Sequence, residues 1–189
     1  ALEESARHLE DDGWTVVETD CPTLREPMDL QIRLWTSEFH HNQGMAIKAE
    51  NDPDANFVYD QMMAICEPPT LNSFMDILQS RVGLIRTWQQ FLAEYPILLC
   101  PVSAQLPFRD HLDVESPQSF RATIEAQLPQ IGIPFLSVPA MTVATGKTGN
   151  IPIGVQLVAG RYREDILFKA AKAIEARCEG VEIAEPDWD

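Results

Sequence analysis

The stretch Gln130-Ile131-Gly132-Ile133-Pro134-Phe135-Leu136-Ser137-Val138-Pro139-Ala140, continued by Asn150-Ile151-Pro152-Ile153-Gly154-Val155-Gln156-Leu157-Val158-Ala159-Gly160-Arg161, decides the fold of this 189-residue chain. Its apolar residues read as two buried strands, Phe135 to Ala144 and Ile151 to Val158. The turn between them, Gly146-Lys147-Thr148-Gly149-Asn150, has glycines for positive φ. Gly154 weakens a strand by itself, so it marks a bulge or a close backbone contact.

Upstream, Ile97-Leu98-Leu99-Cys100-Pro101-Val102 is a continuous apolar run, the pattern of a strand buried on both faces. A further strand is expected at Trp14-Thr15-Val16-Val17-Glu18-Thr19, after a helix over residues 1–12 that Gly13 ends. The spacing of Met28, Ile32, Trp35 and Phe39 predicts a helix from Glu26 to about Glu50, broken at Asn51-Asp52-Pro53-Asp54. A short helix from Asn56 to Cys66 stops at Pro68-Pro69. From Thr70 to Tyr95, Leu71, Phe74, Leu78, Val82, Ile85, Trp88, Leu92 and Tyr95 form one apolar stripe. Such a helix is on the order of 35 Å long. Arg109 to Val114 reads as a loop, Phe120 to Leu128 as a short helix, and Glu164 to Cys178 as the last helix, with Gly180 as its stop. Helices alternating with strands give an α/β class, with 1–189 as a single domain.

Hydrophobic content of 45% and charged content of 23% are those of a globular chain. A net charge of −15 argues against nucleic acid, which needs clustered Lys and Arg, and against anionic membrane surfaces. No apolar run approaches the ~20 residues of a membrane helix. The four cysteines, Cys21, Cys66, Cys100 and Cys178, are widely spaced among apolar neighbours, the pattern of buried thiols in the reducing cytoplasm. The opening residues, with Glu3, Glu4 and Arg7, lack a signal-peptide pattern.

No catalytic set emerges from the residues alone. Gly146-Lys147-Thr148 lacks the glycine five positions earlier that a phosphate loop needs, and Met141 stands there. His40 and His41, adjacent on a helix, point about 100° apart and read with Glu38 as a solvated polar face. Asp110-His111 with Asp113 has no Gly-x-Ser-x-Gly turn to serve. Asn72-Ser73 and Glu115-Ser116 read as helix starts. Ser137 reads as part of a buried strand, and the cysteines lack charged neighbours that would activate a thiol. No metal site and no cofactor follow from these patterns.

The order of these segments resembles the amidase signature hydrolases. The opening stretch is similar to the family's "G-x-P-x-x-S-V-P-A", turn, "P-x-G-x-Q-L-V-G-R" block, and Arg161-Tyr162-Arg163-Glu164-Asp165-Ile166-Leu167 to its entry into a last long helix. The 97–102 strand resembles "D-x-L-L-x-P-T". Ala1 through Leu9, Gly13, Val16, Val17 and Pro22 resemble "A-L-x-x-A-A-x-x-L-x-x-x-G-x-x-V". The family usually has glycine where this chain has Met141, and often threonine where it has Val102.

The resemblance implies the C-terminal part of the amidase signature fold, a mixed sheet of about four strands flanked by helices. It implies a hydrolase of non-peptide carbon–nitrogen bonds using a serine, a second serine in a cis peptide and a lysine. No Gly-Ser-rich loop occurs here, and none of Lys48, Lys147, Lys169 and Lys172 sits in the family's lysine motif, so no catalytic residue is assigned. The expectation is an inactive portion that needs an N-terminal catalytic half as partner and contributes to the pocket of a small-molecule amide. Ligands of open α/β sheets bind beyond strand carboxyl ends, so Ser103, Leu106 and Phe108 are the expected substrate-pocket residues. Exposed strands predict a two-fold homodimer. The alternative is a standalone, non-catalytic binding or interaction module with this fold.

Overall fold

The computed structural model describes residues 1–66 and 70–178. The expected helix stops at Pro68-Pro69 and Gly180 lie outside the described residues. The elements, in order, are α1 (Leu2–Asp11), α2 (Arg25–Glu50), α3 (Pro53–Ile65), α4 (Leu71–Glu94) and β1 (Ile97–Pro101). A 3₁₀ turn (Leu112–Val114) follows, then α5 (Pro117–Ala126), α6 (Leu128–Phe135), β2 (Ala140–Thr148), β3 (Ile151–Ala159) and α7 (Glu164–Glu175). The chain falls into two compact units: Ala1–Asp20, Leu92–Val102 and the residues from Val138 on, and then Cys21–Phe91 with Ser103–Ser137.

The first unit is built on a three-stranded antiparallel sheet in the order β1-β3-β2. Its central strand is buried continuously from Val155 to Ala159, as a strand paired on both sides should be. The side chains of Val155, Leu157 and Ala159 alternate onto one face. There they pack with Leu9 of α1 and Leu167, Ala170, Ala173 and Ile174 of α7. Glu164 and Asp165 in the first turn of α7 complement its helix dipole.

Several expectations are corrected here. The sheet has three strands among the described residues, not about four, and it is antiparallel and not mixed. The segment 14–19 forms no strand: Trp14 and Val16 do pack against the core, with Thr15 and Val17 exposed, but no ladder partner is present among the described residues. Its alternation of burial is real, and alternation alone does not make a sheet strand. β1 is half-buried, because it lies at the sheet edge. Strand β2 starts at Ala140 and runs on to Thr148, which shortens the turn to Gly149 and Asn150.

The second unit is helical, and there the opening stretch departs most from its reading. Leu128 to Phe135 is helix α6, with Pro129 in its first turn, where a missing N–H removes no helical bond. A continuous apolar run cannot be told from a buried helix by periodicity, and here Ile131, Ile133 and Phe135 are buried as helix. Ile131 joins Met28 and Ile32 of α2 in a core lined by Met62, Ile65, Ile124 and Leu128. Gly132 allows the close approach: a Cβ there would meet the Leu24 carbonyl at 3.0 Å. Ser137 is exposed and has φ +52°, so it is no buried strand residue.

Helix ends follow their signals. Asn51 closes α2 in the left-handed region, and the Asp52 carboxylate accepts the Ala55 N–H at 2.8 Å to open α3. Ser116 caps α5 in a capping box with Ser119. The apolar stripe of α4 divides into two. Its members Trp88 and Leu92 are buried, whereas Leu71 is 77% and Val82 60% exposed, and Ile77, off the stripe, is buried. Cys21 is also exposed, and Cys66, Cys100 and Cys178 are half-buried, so the expectation of buried thiols does not hold.

Candidate functional site

The segment after β1 belongs to the helical unit, and its first residues are tied down by hydrogen bonds to backbone. The Ala104 N–H donates to the Ala126 carbonyl at the end of α5 at 2.9 Å, and the Ser103 hydroxyl donates to the same oxygen at 3.0 Å. The Ser103 Oγ also accepts the Gln105 N–H at 3.3 Å. These bonds satisfy a carbonyl that a helix end leaves open. The Ser103 hydroxyl is therefore engaged in holding the loop. Leu106 is 49% exposed and Phe108 half-buried, so the loop offers apolar surface from a fixed base.

Beyond Phe108, charges brace the segment. Arg109 pairs with Glu115, and the Asp110 carboxylate accepts the His111 N–H at 3.0 Å. His111 has φ +57°, and its ring nitrogens lie 3.7 Å from Asp54 of α3 and 3.6 Å from Asp110. This arrangement gives His111 a carboxylate neighbour on each side, with no serine or cysteine within the set. It is an exposed polar cluster in which Arg109–Glu115 is the ion pair, worth little in stability by itself.

The other expected groups are placed separately. His40 Nδ1 lies 2.6 Å from the buried Tyr59 hydroxyl, and His41 is exposed beside it. Lys48 pairs with Asp60 at 2.6 Å and lies 5.0 Å from the Tyr59 ring centroid. Among the described residues, no cluster of His, Cys, Asp and Glu could hold a metal ion. None of the described helices is long and apolar enough to cross a membrane.

Two contacts were not legible in the sequence because their partners are far apart along it. Arg25 pairs with Glu125 at 2.5 Å and lies 3.7 Å from Asp29; the hydrogen-bonded Glu125 carboxylate holds the guanidinium pKa above its ordinary value. Arg81 donates from Nε to the Phe135 carbonyl at 2.7 Å and from its fork to Ser137 Oγ at 2.5 Å. Arg81 also lies over the Phe135 ring at 5.5 Å. These bonds fix α4 to the end of α6 where Ser137 takes its left-handed turn.

Comparison with known proteins agrees with this architecture. The chain is 32% identical over 178 residues to the indoleacetamide hydrolase of Bradyrhizobium japonicum, covering 94% of this chain and 38% of that enzyme. Among solved structures, 6-aminohexanoate cyclic dimer hydrolase with its substrate matches at TM-score 0.71 and 18% identity, over 93% of this chain and 40% of that one. A variant of the allophanate hydrolase of Kluyveromyces lactis matches at TM-score 0.69 and 15% identity, over 98% of this chain and 33% of that one. At such identities the two structures establish the fold alone. The chain spans about a third to two-fifths of the length of these relatives. Residues 1–168 match the amidase family, and the chain belongs to that family.

Proposed function

We propose that this chain is the C-terminal portion of a cytoplasmic amidase that hydrolyses a small, non-peptide amide. One observation carries the reading: the alignment with indoleacetamide hydrolase takes in 94% of this chain but 38% of that enzyme. The serine, cis-serine and lysine chemistry then belongs to the remainder of the same polypeptide. Residues 1–189 act as one portion that lacks turnover alone, supporting the site without supplying its nucleophile. An arylalkyl amide such as indole-3-acetamide is the first substrate to test, following the relative's name.

In this reading the loop from Ser103 to Phe108 forms part of the substrate wall. The bonds to Ala126 supply rigidity, and Leu106 and Phe108 supply apolar contact area. Positioning of this kind needs side chains held by a fixed backbone. The test is steady-state hydrolysis by the longer gene product carrying Leu106→Ala or Phe108→Ala, with amides of graded acyl size. Lost apolar contact should change the relative kcat/KM between large and small amides by about tenfold. Unaltered selectivity across the series would remove the loop from the pocket.

A further inference from the structure

Helices α2 and α3 enclose a concavity that the amide reading does not use. Its walls are apolar: Trp35 and Phe39 from α2, Val58 and Met62 from α3. Glu38, Asn42 and Gln43 complete the lining. Trp35, Glu38, Phe39 and Asn42 stand at helical spacings of three, four and seven, so one face of α2 presents both aromatic rings and the carboxylate. Trp35 is 40% exposed, uncommon for so large an apolar ring.

The concavity is built on a fixed hinge. Tyr59 is buried, its ring 6.0 Å from that of Phe39 and its hydroxyl 2.6 Å from His40 Nδ1. A Cβ at Gly44 would stand 2.8 Å from that hydroxyl, so glycine is what lets α3 approach α2 so closely. The wall residues thus sit on two helices locked against each other. Glu38 is the one charged residue of the lining, and it makes no ion pair among the described residues.

We propose that this concavity binds a small organic cation with an aromatic or alkyl body, of the arylalkylammonium type. The cation meets the π faces of Trp35 and Phe39 and the Glu38 carboxylate, while its apolar body rests on Val58 and Met62. Asn42 and Gln43 offer side-chain carbonyls to the ammonium protons. The chain's net charge of −15 favours approach of a cation and opposes that of an anion.

The experiment titrates the chain with phenethylammonium, 2-phenylethanol and phenylacetate, which share a body and differ in charge. Binding is read by tryptophan fluorescence and by calorimetry. The cation should bind saturably, the alcohol more weakly and the carboxylate weakest. Glu38→Gln, an exposed change that leaves the helix intact, should cut the preference for cation over alcohol by about three- to fivefold, as one partly exposed ion pair does. Gln43→Glu should enlarge that preference. Absence of saturation up to roughly 10 mM, the range of the weakest specific binding, overturns the proposal. Equal binding of alcohol and cation, or a preference unmoved by Glu38→Gln and Gln43→Glu, overturns it as well.

Discussion

A Cβ built on Gly154 of the central strand β3 would lie 2.5 Å from the carbonyl oxygen of Val143 on its neighbour β2. The register slips beside it, between Ala144 and Gly146, so the bare backbone at Gly154 and the bulge opposite are one feature. A side chain cannot enter without parting β2 from β3, because the obstacle is backbone. Gly154→Ala should therefore destabilise the chain by about 2 kcal/mol or more, within the range of overpacked cores. Urea unfolding measures it, and an unchanged midpoint would show that the strands yield freely.

Arg81 offers a second test, in the helical unit. Its fork satisfies the Phe135 carbonyl and the Ser137 hydroxyl together. Lysine keeps the charge but cannot reproduce two directed donors. Arg81→Lys should lower stability by about 1 kcal/mol and Arg81→Ala by about 1–3 kcal/mol. Thermal melts of the two variants decide it; identical melting for Arg81→Lys and the parent chain would reduce the contact to simple charge.

The capping box at α5 makes a third. The Ser119 N–H donates to Ser116 Oγ at 3.1 Å, and the Ser116 N–H donates to Ser119 Oγ at 3.0 Å. Ser116→Ala removes the first acceptor and should cost about 1 kcal/mol, whereas Ser116→Asp should retain most of the stability. Chemical denaturation of both variants provides the measurement.

Cys178 carries a pH signature. Burial pushes its thiol pKa above the ordinary value, and the carboxylates of Glu4 and Glu175 add to the rise, against a smaller lowering by the N-terminal ammonium. Alkylation by iodoacetamide should therefore be slow at neutral pH and accelerate only at more alkaline pH than an unperturbed thiol requires. Replacing Glu4 and Glu175 by glutamine should speed it. The sign for stability follows. A thiol that stays protonated longer in the folded state binds more protons there than in the unfolded chain, so stability falls as pH rises above the unfolded thiol's pKa. Peptide mass spectrometry after timed alkylation reads the first effect, and stability measured across that alkaline window reads the second.

What was legible in the sequence follows from how local each signal is. Asn51 marks the end of α2 and Ser116 the start of α5, because their backbone or side chain acts within a few residues, whereas α3 begins at Pro53 behind the Asp52 cap and not at the expected Asn56. Gly154 announced a close contact because glycine in a strand seldom has another reason. The α6 segment was misread because Ile131, Ile133 and Phe135 are apolar on every side, and only packing on α2 decides between helix and strand. The segment from Trp14 to Thr19 has strand composition but no partner to pair with among the described residues, and pairing is not written locally. The partition of the α4 stripe into buried Trp88 and Leu92 and exposed Leu71 and Val82 likewise depends on distant neighbours. At the candidate site, Ser103, Leu106 and Phe108 are expected only from their place after β1, and the bond from Ser103 to Ala126 spans 23 residues and is visible only in the fold.

The most direct test of the account is hydrolysis of indole-3-acetamide, read as ammonia release, by the 189-residue chain and by the same chain joined to the N-terminal remainder proposed for it, side by side. The account predicts turnover by the longer protein and none by the chain alone. Ammonia released by the chain alone, abolished by replacing one of its own serines or lysines, would place the catalytic groups within these residues and contradict it.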